Sequence, residues 1–406
     1  MALLFYFISL FLGLIIKEHV ILSLASFIIL LSYVIYTKKV KIYYLIIFYI
    51  LGVIIYFSSY INLFNKHYVG MIVESKENYF ILRVGLAKYY VSLTNNTYEV
   101  GDILSINGTL RDYAFKTYES QFDFNLFLKN KYVYKELSIN EVKSVFLTPF
   151  RIRGIIQNNL NYYSLETKIS LGKLLFNLSF DDEYISIISS NALFYLLSIS
   201  SLHIYLFNGI IKKLLGIKLK EKNSDLIILI LNLIFYLLSN YKITILKVLL
   251  FSLISYYLNY YSKRRFSAVE KISLVGLIIL FTNPSYSLSI SFIYSFSIPF
   301  YMIFIKDSLI MYRKKNRWII TSIMLFLFII PIQIYNDGYF SLLSIFLSQF
   351  LIIIIFPLFI LGLFGLIFPL YFIVDFYGKL IYRCTFIIDK ISVNVYYGKN
   401  GIKHNH

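Results

Sequence analysis

Long apolar runs recur along most of this chain, and clusters of basic residues separate many of them. A run of about 17–25 apolar residues matches the hydrocarbon thickness of a bilayer, where the backbone can satisfy its own polar groups only as a helix or a closed barrel. Three runs open the sequence, at residues 2–16, 20–36 and 42–61. Further ones follow at 192–215, 226–238, 243–261, 272–282, 288–305, 318–334 and 340–377. The last is long enough for a helical pair, which gives about eleven membrane segments at the usual span length. Composition agrees. The chain is 59% hydrophobic and 15% charged, whereas soluble domains sit near ~45–50% apolar and ~25% charged. The fold class expected is a polytopic α-helical membrane protein.

The net charge of +18 follows this topology. Lys38, Lys39 and Lys41 crowd the turn between the second and third runs, so the positive-inside rule puts that turn and the N-terminus inside, and residue 61 outside. The later clusters, from Lys212 to Lys222, from Lys263 to Arg265 and from Lys306 to Arg317, each fall after an outside-to-inside crossing. The sum therefore reports topology rather than a nucleic-acid surface. Tyr and Phe are abundant, but so are Ile, Lys and Asn, the signature of A/T-rich coding, which weakens the aromatics as evidence for base stacking. The side of the basic C-terminal tail stays open. Two crossings within 340–377 put it outside, while Pro357 and Pro369 would permit a re-entrant element.

Between the third and fourth runs the pattern changes to short alternating stretches, 68–73, 78–84, 88–93 and 102–110, with a turn signal at Asn95-Asn96 and glycine punctuation at Gly101 and Gly108. Such spacing predicts a small external barrel of OB type. Residues 150–190 read as amphipathic helix, either lying at the membrane interface or packed as a helical linker. The expected organisation is N-terminal membrane helices in 1–62, an external OB-like domain in 65–148, amphipathic helices in 150–190, a polytopic membrane domain in 191–377 and a basic tail in 378–406.

Catalytic chemistry has little to stand on. One cysteine, Cys384, excludes an intrachain disulfide or a multi-cysteine metal site, and the five histidines are scattered. The Gly-Lys pairs at Gly172, Gly378 and Gly398 lack the Ser or Thr of a phosphate-binding loop. No enzyme activity, metal or cofactor is expected. The chemically loaded stretch is Leu196-Leu197-Ser198-Ile199-Ser200-Ser201-Leu202-His203, a hydroxyl cluster closed by a histidine inside an apolar run. Ionisable groups at membrane depth are costly and face a cavity or a neighbouring helix. On a helix, Ser200 and His203 share a face, and both an interhelical hydrogen bond and a lining role fit that pattern. Lys247 is a second candidate, with snorkelling to the interface as its plain alternative. Ser295, a lone hydroxyl, and Pro299, a helix break of the kind transport paths use, lie in the run at 288–305.

Three segments resemble motifs of the ComEC family, bacterial competence proteins that carry transforming single-stranded DNA across the cytoplasmic membrane. Phe122-Asp123-Phe124-Asn125-Leu126-Phe127-Leu128 is similar to the element that ends that family's soluble domain. Residues 192–203, ending in Ser201-Leu202-His203, resemble its GLxHLLAISGLH segment, with Tyr195 in place of the first histidine and Ser201 in place of the glycine. Asn283-Pro284 followed by Ser291-Phe292-Ile293-Tyr294-Ser295-Phe296 resembles its DP…GFQLSF segment, with Ile293 in place of the glutamine. Lys247 stands where members often carry an arginine. The sequence ends at His406 without the metallo-β-lactamase-like domain of many members, so the resemblance is to the form lacking it.

The resemblance implies a multi-pass protein of the cytoplasmic (inner) membrane of a bacterium, a conduit for single-stranded DNA during natural competence, with Ser198, Ser200, His203, Lys247 and Ser295 lining or gating the path and Pro299 breaking a helix beside it. Its implied partners are single-stranded DNA and the lipid bilayer, with room for DNA-receptor and helicase-like uptake proteins and for a homo-oligomer. Two other functions remain open from the residues alone. One is a transporter or channel for a small anion or polysaccharide; the other is a non-conducting scaffold relative.

Overall fold

The computed structural model describes residues 2–16, 19–37, 40–60, 67–76, 78–93, 98–113, 124–146, 159–176, 201–239, 241–310, 314–337, 339–341, 344–365, 368, 370–391 and 394–396. It forms two compact units, one of Met1–Phe150 with Tyr257–Phe296, the other of Arg151–Tyr256 with Ser297–His406. The chain begins with α1 (Ala2–Leu14), α2 (Val20–Thr37) and α3 (Ile42–Tyr60). It continues through β1 (His67–Ser75), β2 (Tyr79–Val84), β3 (Ala87–Ser92), β4 (Ile103–Arg111), α4 (Phe124–Asn130) and β5 (Val133–Phe146). Next come α5 (Leu165–Phe176), α6 (Ser201–Leu215), α7 (Glu221–Leu238), α8 (Ile243–Tyr260) and α9 (Ala268–Thr282), followed by a 3-10 turn (Pro284–Leu288). The last elements are α10 (Ile290–Ile310), α11 (Lys314–Asp337), β6 (Tyr339–Ser341), α12 (Ser344–Gly365), α13 (Tyr371–Ile391) and β7 (Asn394–Tyr396).

By length and composition α2 and α8 can each cross a bilayer, and α1, α3, α10, α11 and α12 hold shorter apolar stretches. Ile21, Ile28, Ile29 and Ile35 of α2 are exposed. A contiguous apolar surface of that kind is disfavoured in water and ordinary against lipid or a partner.

In the first unit α1 and α3 touch backbone to backbone. A Cβ on Gly52 would lie 2.5 Å from the Leu10 carbonyl and 3.0 Å from the Gly13 Cα, and a Cβ on Gly13 would overlap the Tyr49 carbonyl. Small residues at a helix crossing allow this approach, which packing between apolar helices uses in place of a hydrophobic driving force. Ser23 of α2 joins the pair by donating to the Leu12 carbonyl at 2.7 Å, with its oxygen 3.1 Å from the Tyr49 hydroxyl. Gly276 of α9 leaves room for the Phe7 ring of α1.

The five long strands close into a barrel in the order β1-β2-β3-β5-β4, with β4 pairing back onto β1. All pairings are antiparallel except β3 with β5. At Asn107/Gly108 the register of β4 against β5 shifts, and a Cβ at Gly108 would overlap the Ser138 carbonyl, so glycine permits the bulge. Four strands match the alternating stretches of the sequence; β5 was not among them. Its charged residues Lys135, Glu136, Glu141 and Lys143 hide an alternation that buries only Val133 and Leu137. One end of the barrel is filled by α4, whose Phe124, Phe127 and Leu128 pack with Ile81, Tyr90 and Val133.

Side chains of the barrel reach the ends of α1 and α3 and the turn after α9. Tyr132 is fully buried and holds a left-handed backbone, φ 59°, a conformation that costs a side-chain-bearing residue about 1–2 kcal/mol. Its hydroxyl donates to the Leu14 carbonyl at 3.0 Å and lies 3.0 Å from Ser287 Oγ. Tyr56 of α3 stacks edge-on against Tyr132 at 5.4 Å, and its hydroxyl is 3.2 Å from that of Tyr134. Arg83 donates to the Thr282 carbonyl, and Lys88 donates to Ser285 Oγ, which in turn donates to Asn283 Oδ1 at 2.8 Å. The turn around Asn283-Pro284 is therefore one of the places where the barrel is held.

In the second unit α5 packs against α12 and α13. Gly362 and Gly365 of α12 face Leu171 and Tyr163, and Gly378 of α13 faces Thr167. Asp375 of α13 accepts the Ser164 backbone N–H at 2.9 Å and its hydroxyl at 2.6 Å, and pairs with Lys379 at 2.7 Å. Placed at the start of α5, this carboxylate also faces the positive end of the helix dipole. The helix α13 runs well past Gly378, because Val374 and Ile381, seven residues apart on one face, both enter the core. Beyond it β7 pairs antiparallel with β6, Tyr339 against Tyr396. Residues 339 and 396 therefore lie at the same end of the α12–α13 hairpin.

Burial, reinforced by the charges of Arg83 and Lys131 and opposed by that of Glu74, lowers the Lys88 amine from 10.5 to about 7. Between those values the unfolded chain holds the proton and the folded chain does not, so stability rises with pH from about 7 towards 10.5. Chemical denaturation across that window should show this rise in the wild type and a flatter profile in Lys88→Met. Asp375→Ala removes the partner of a helix start and should lower stability by about 1–3 kcal/mol, with Asp375→Asn intermediate, as read from thermal melting in detergent.

Candidate functional site

The sequence placed its candidates on the runs that became α6, α8 and α10. Ser198 and Ser200 lie outside the described residues. His203 is fully buried on α6, its ring stacked 5.8 Å from that of Phe359 on α12. Phe207 and Phe235 complete the group, each about one ring from Phe359, at 6.0 and 5.9 Å. On this side α6 presents an aromatic packing surface.

Lys247 of α8 points at α6 and donates to Ser201 Oγ at 3.5 Å. Two residues the sequence treated separately, one as a lysine in an apolar run and the other as a glycine replacement, thus meet at the first turn of α6. Ser295 belongs to the first unit, where its hydroxyl donates to the Ser291 carbonyl of its own helix at 2.7 Å. This back-bonding satisfies the hydroxyl within the helix. Pro299 sits inside α10, which continues through it to Ile310.

A second polar row on α6 escaped notice. At about 100° per residue, Ser201, Asn208 and Lys212 fall within about 40° of one another and nearly opposite His203. Each meets a neighbouring helix. Asn208 Nδ2 donates to Asn232 Oδ1 on α7 at 3.0 Å, and Asn232 Nδ2 donates to Ser252 Oγ on α8 at 3.0 Å. Lys212 pairs with Asp225 at 2.7 Å and with Glu221 at 3.2 Å, both on α7. On α7 the participants Asp225 and Asn232 are seven residues apart, as are Asn232 and the buried Ser239. That heptad spacing was the signal available in the sequence. Asn232 is fully buried, and the Oδ1 atom of Asn208 is buried with no hydrogen-bond partner among the described residues.

The arrangement has three levels. A lysine meets a hydroxyl at the top, neutral amides and a hydroxyl meet in the middle of α7 and α8, and a lysine meets two carboxylates at the bottom. It holds no group of His, Cys, Asp and Glu that could bind a metal among the described residues. Its parts donate and accept hydrogen bonds, and a lysine stands at each end.

A family model described as competence protein matches residues 179–396, the stretch that contains α6, α7 and α8. The chain belongs to the competence protein family. No curated protein and no solved structure matches it. The match contains the segments at 192–203 and 283–296, and a competence protein takes part in DNA uptake in the general sense.

Proposed function

We propose that this competence protein is a conduit that carries single-stranded DNA across the cytoplasmic membrane. The observation that carries the proposal is that the family match falls on the helices that share the buried polar row, with Lys247 at its end. A polyanion entering an apolar region needs donors and a fixed positive charge to offset lost hydration. Lys247, Ser201 and the amides beyond supply these groups.

The membrane part then has about eleven segments at the usual span length, with the N-terminus inside. Support for an external receiving domain comes from the barrel's strand order, which agrees with an OB-like fold. The pairing of β6 with β7 supports a C-terminal end that returns to the outer side, since residue 339 follows an inside-to-outside crossing. The chain acts by lining a path, and no bond is made or broken by it.

Deletion of the gene should leave labelled DNA bound outside the cell and abolish its appearance in the cytoplasm, with uptake restored by the wild-type gene. Lys247→Ala should lower the import rate by about tenfold, the equivalent of about 1.4 kcal/mol, and Lys247→Arg should retain most of it. A deletion strain that imports DNA as well as its parent would end the proposal. Purified protein in vesicles that conducts small anions but not oligonucleotides would favour an anion channel instead.

A further inference from the structure

We infer that the path runs along the seam of α6, α7 and α8, with Asn208, Asn232 and Ser252 as its hydrogen-bonding middle, on the side of α6 opposite His203. This rests on the conduit reading and assigns it a different lining from the one the hydroxyl-histidine cluster marks in the sequence.

On the other side of α6, Phe359 stacks on His203 while Phe207 and Phe235 pack on Phe359, and such rings offer a polar strand few hydrogen bonds. The seam offers three levels in one line. Asn232 and Ser252 lie near the middle of α7 and α8, where an amide is most costly to bury. Hydrogen bonds between neutral side chains in membrane helices are worth only about 0.6 kcal/mol on average, so a passing strand can replace them at little cost. The buried Asn208 Oδ1 is an acceptor left over after Asn208 and Asn232 have bonded each other. It suits a ligand that carries N–H donors, such as the exocyclic amines of nucleobases, which a duplex would hide and a single strand shows.

Charged groups stand beyond both ends of this middle, Lys247 donating to Ser201 at one and Lys212 pairing with Asp225 and Glu221 at the other.

The test uses the full-length protein in membranes, with Cys384→Ser to remove the native thiol. Single cysteines are placed by Asn208→Cys and Ser252→Cys in the seam and by Phe207→Cys on the aromatic side, and a membrane-impermeant methanethiosulfonate probes them. The seam thiols should react at least tenfold faster than the Phe207→Cys thiol, and single-stranded DNA of mixed sequence should slow them. In parallel, Asn232→Leu should cut DNA import several-fold at unchanged protein level and melting temperature, while Asn232→Gln restores part of it. Seam thiols as inert as the control would overturn the inference, as would Asn232→Leu that changes melting and leaves import intact, the mark of a purely structural bond. Reactive seam thiols in a protein whose deletion leaves DNA import unchanged would keep the seam as a polar path and remove DNA as its cargo.

Discussion

Polar atoms that leave water must find partners, and in an apolar helical protein few are on offer. That constraint explains most of the specific contacts in this chain. Single hydroxyls turn back on their own helices, as Ser32, Ser273 and Ser295 do by donating to the carbonyl four residues earlier. Groups that cannot do this reach across to another element. Asp375 collects the start of α5, Tyr132 collects the end of α1, and Asn232 joins α6 to α8. Each such group fixes a neighbour in register, so the cost of burying it becomes the specificity of the packing.

The first unit shows how apolar and polar requirements combine. Gly13 and Gly52 bring α1 and α3 together, and this places the Leu14 carbonyl and the Tyr56 ring where Tyr132 can meet both. The strained backbone of Tyr132 is held by those contacts and by Ser287. Lys88 and Arg83 then bind the turn after α9 from the same barrel. The Asn283-Pro284 segment, noticed in the sequence for its likeness to a family motif, acts in this structure as a seat for the barrel. Its chemistry is that of a hydrogen-bonded joint.

Much of this was legible in the amino-acid sequence, for physical reasons that also mark where legibility ends. Helices in α1, α2, α3, α8 and α10 follow from unbroken apolar runs, and β1 to β4 from alternation with glycine at the turns. The strand β5 was hidden because its exposed face and much of its inner face are polar. The continuation of α13 was hidden because lysines and an arginine interrupt its apolar stripe. For the site, the sequence identified Lys247 and the region of Ser201, which the structure joins at 3.5 Å. It could not give the azimuth of α6, and so could not tell that His203 turns towards Phe359 while Asn208 turns towards Asn232. Asparagines also pass as coding bias in a chain this rich in Ile, Lys and Asn. Their spacing carries meaning only once the helices are in place.

The closure of the barrel has one more consequence. With β4 paired to β1 and β3 to β5, the five described strands close into a barrel and none of them is an edge strand. Recognition by strand addition, in which a partner's extended segment borrows the unused N–H and C=O groups along an edge, finds no such strand among the described residues of this domain. Whatever meets the barrel must be read by side chains on the strand faces and by loops. Its affinity is therefore set by residue identity rather than by backbone geometry, so homologous barrels of the same shape can differ freely in what they bind.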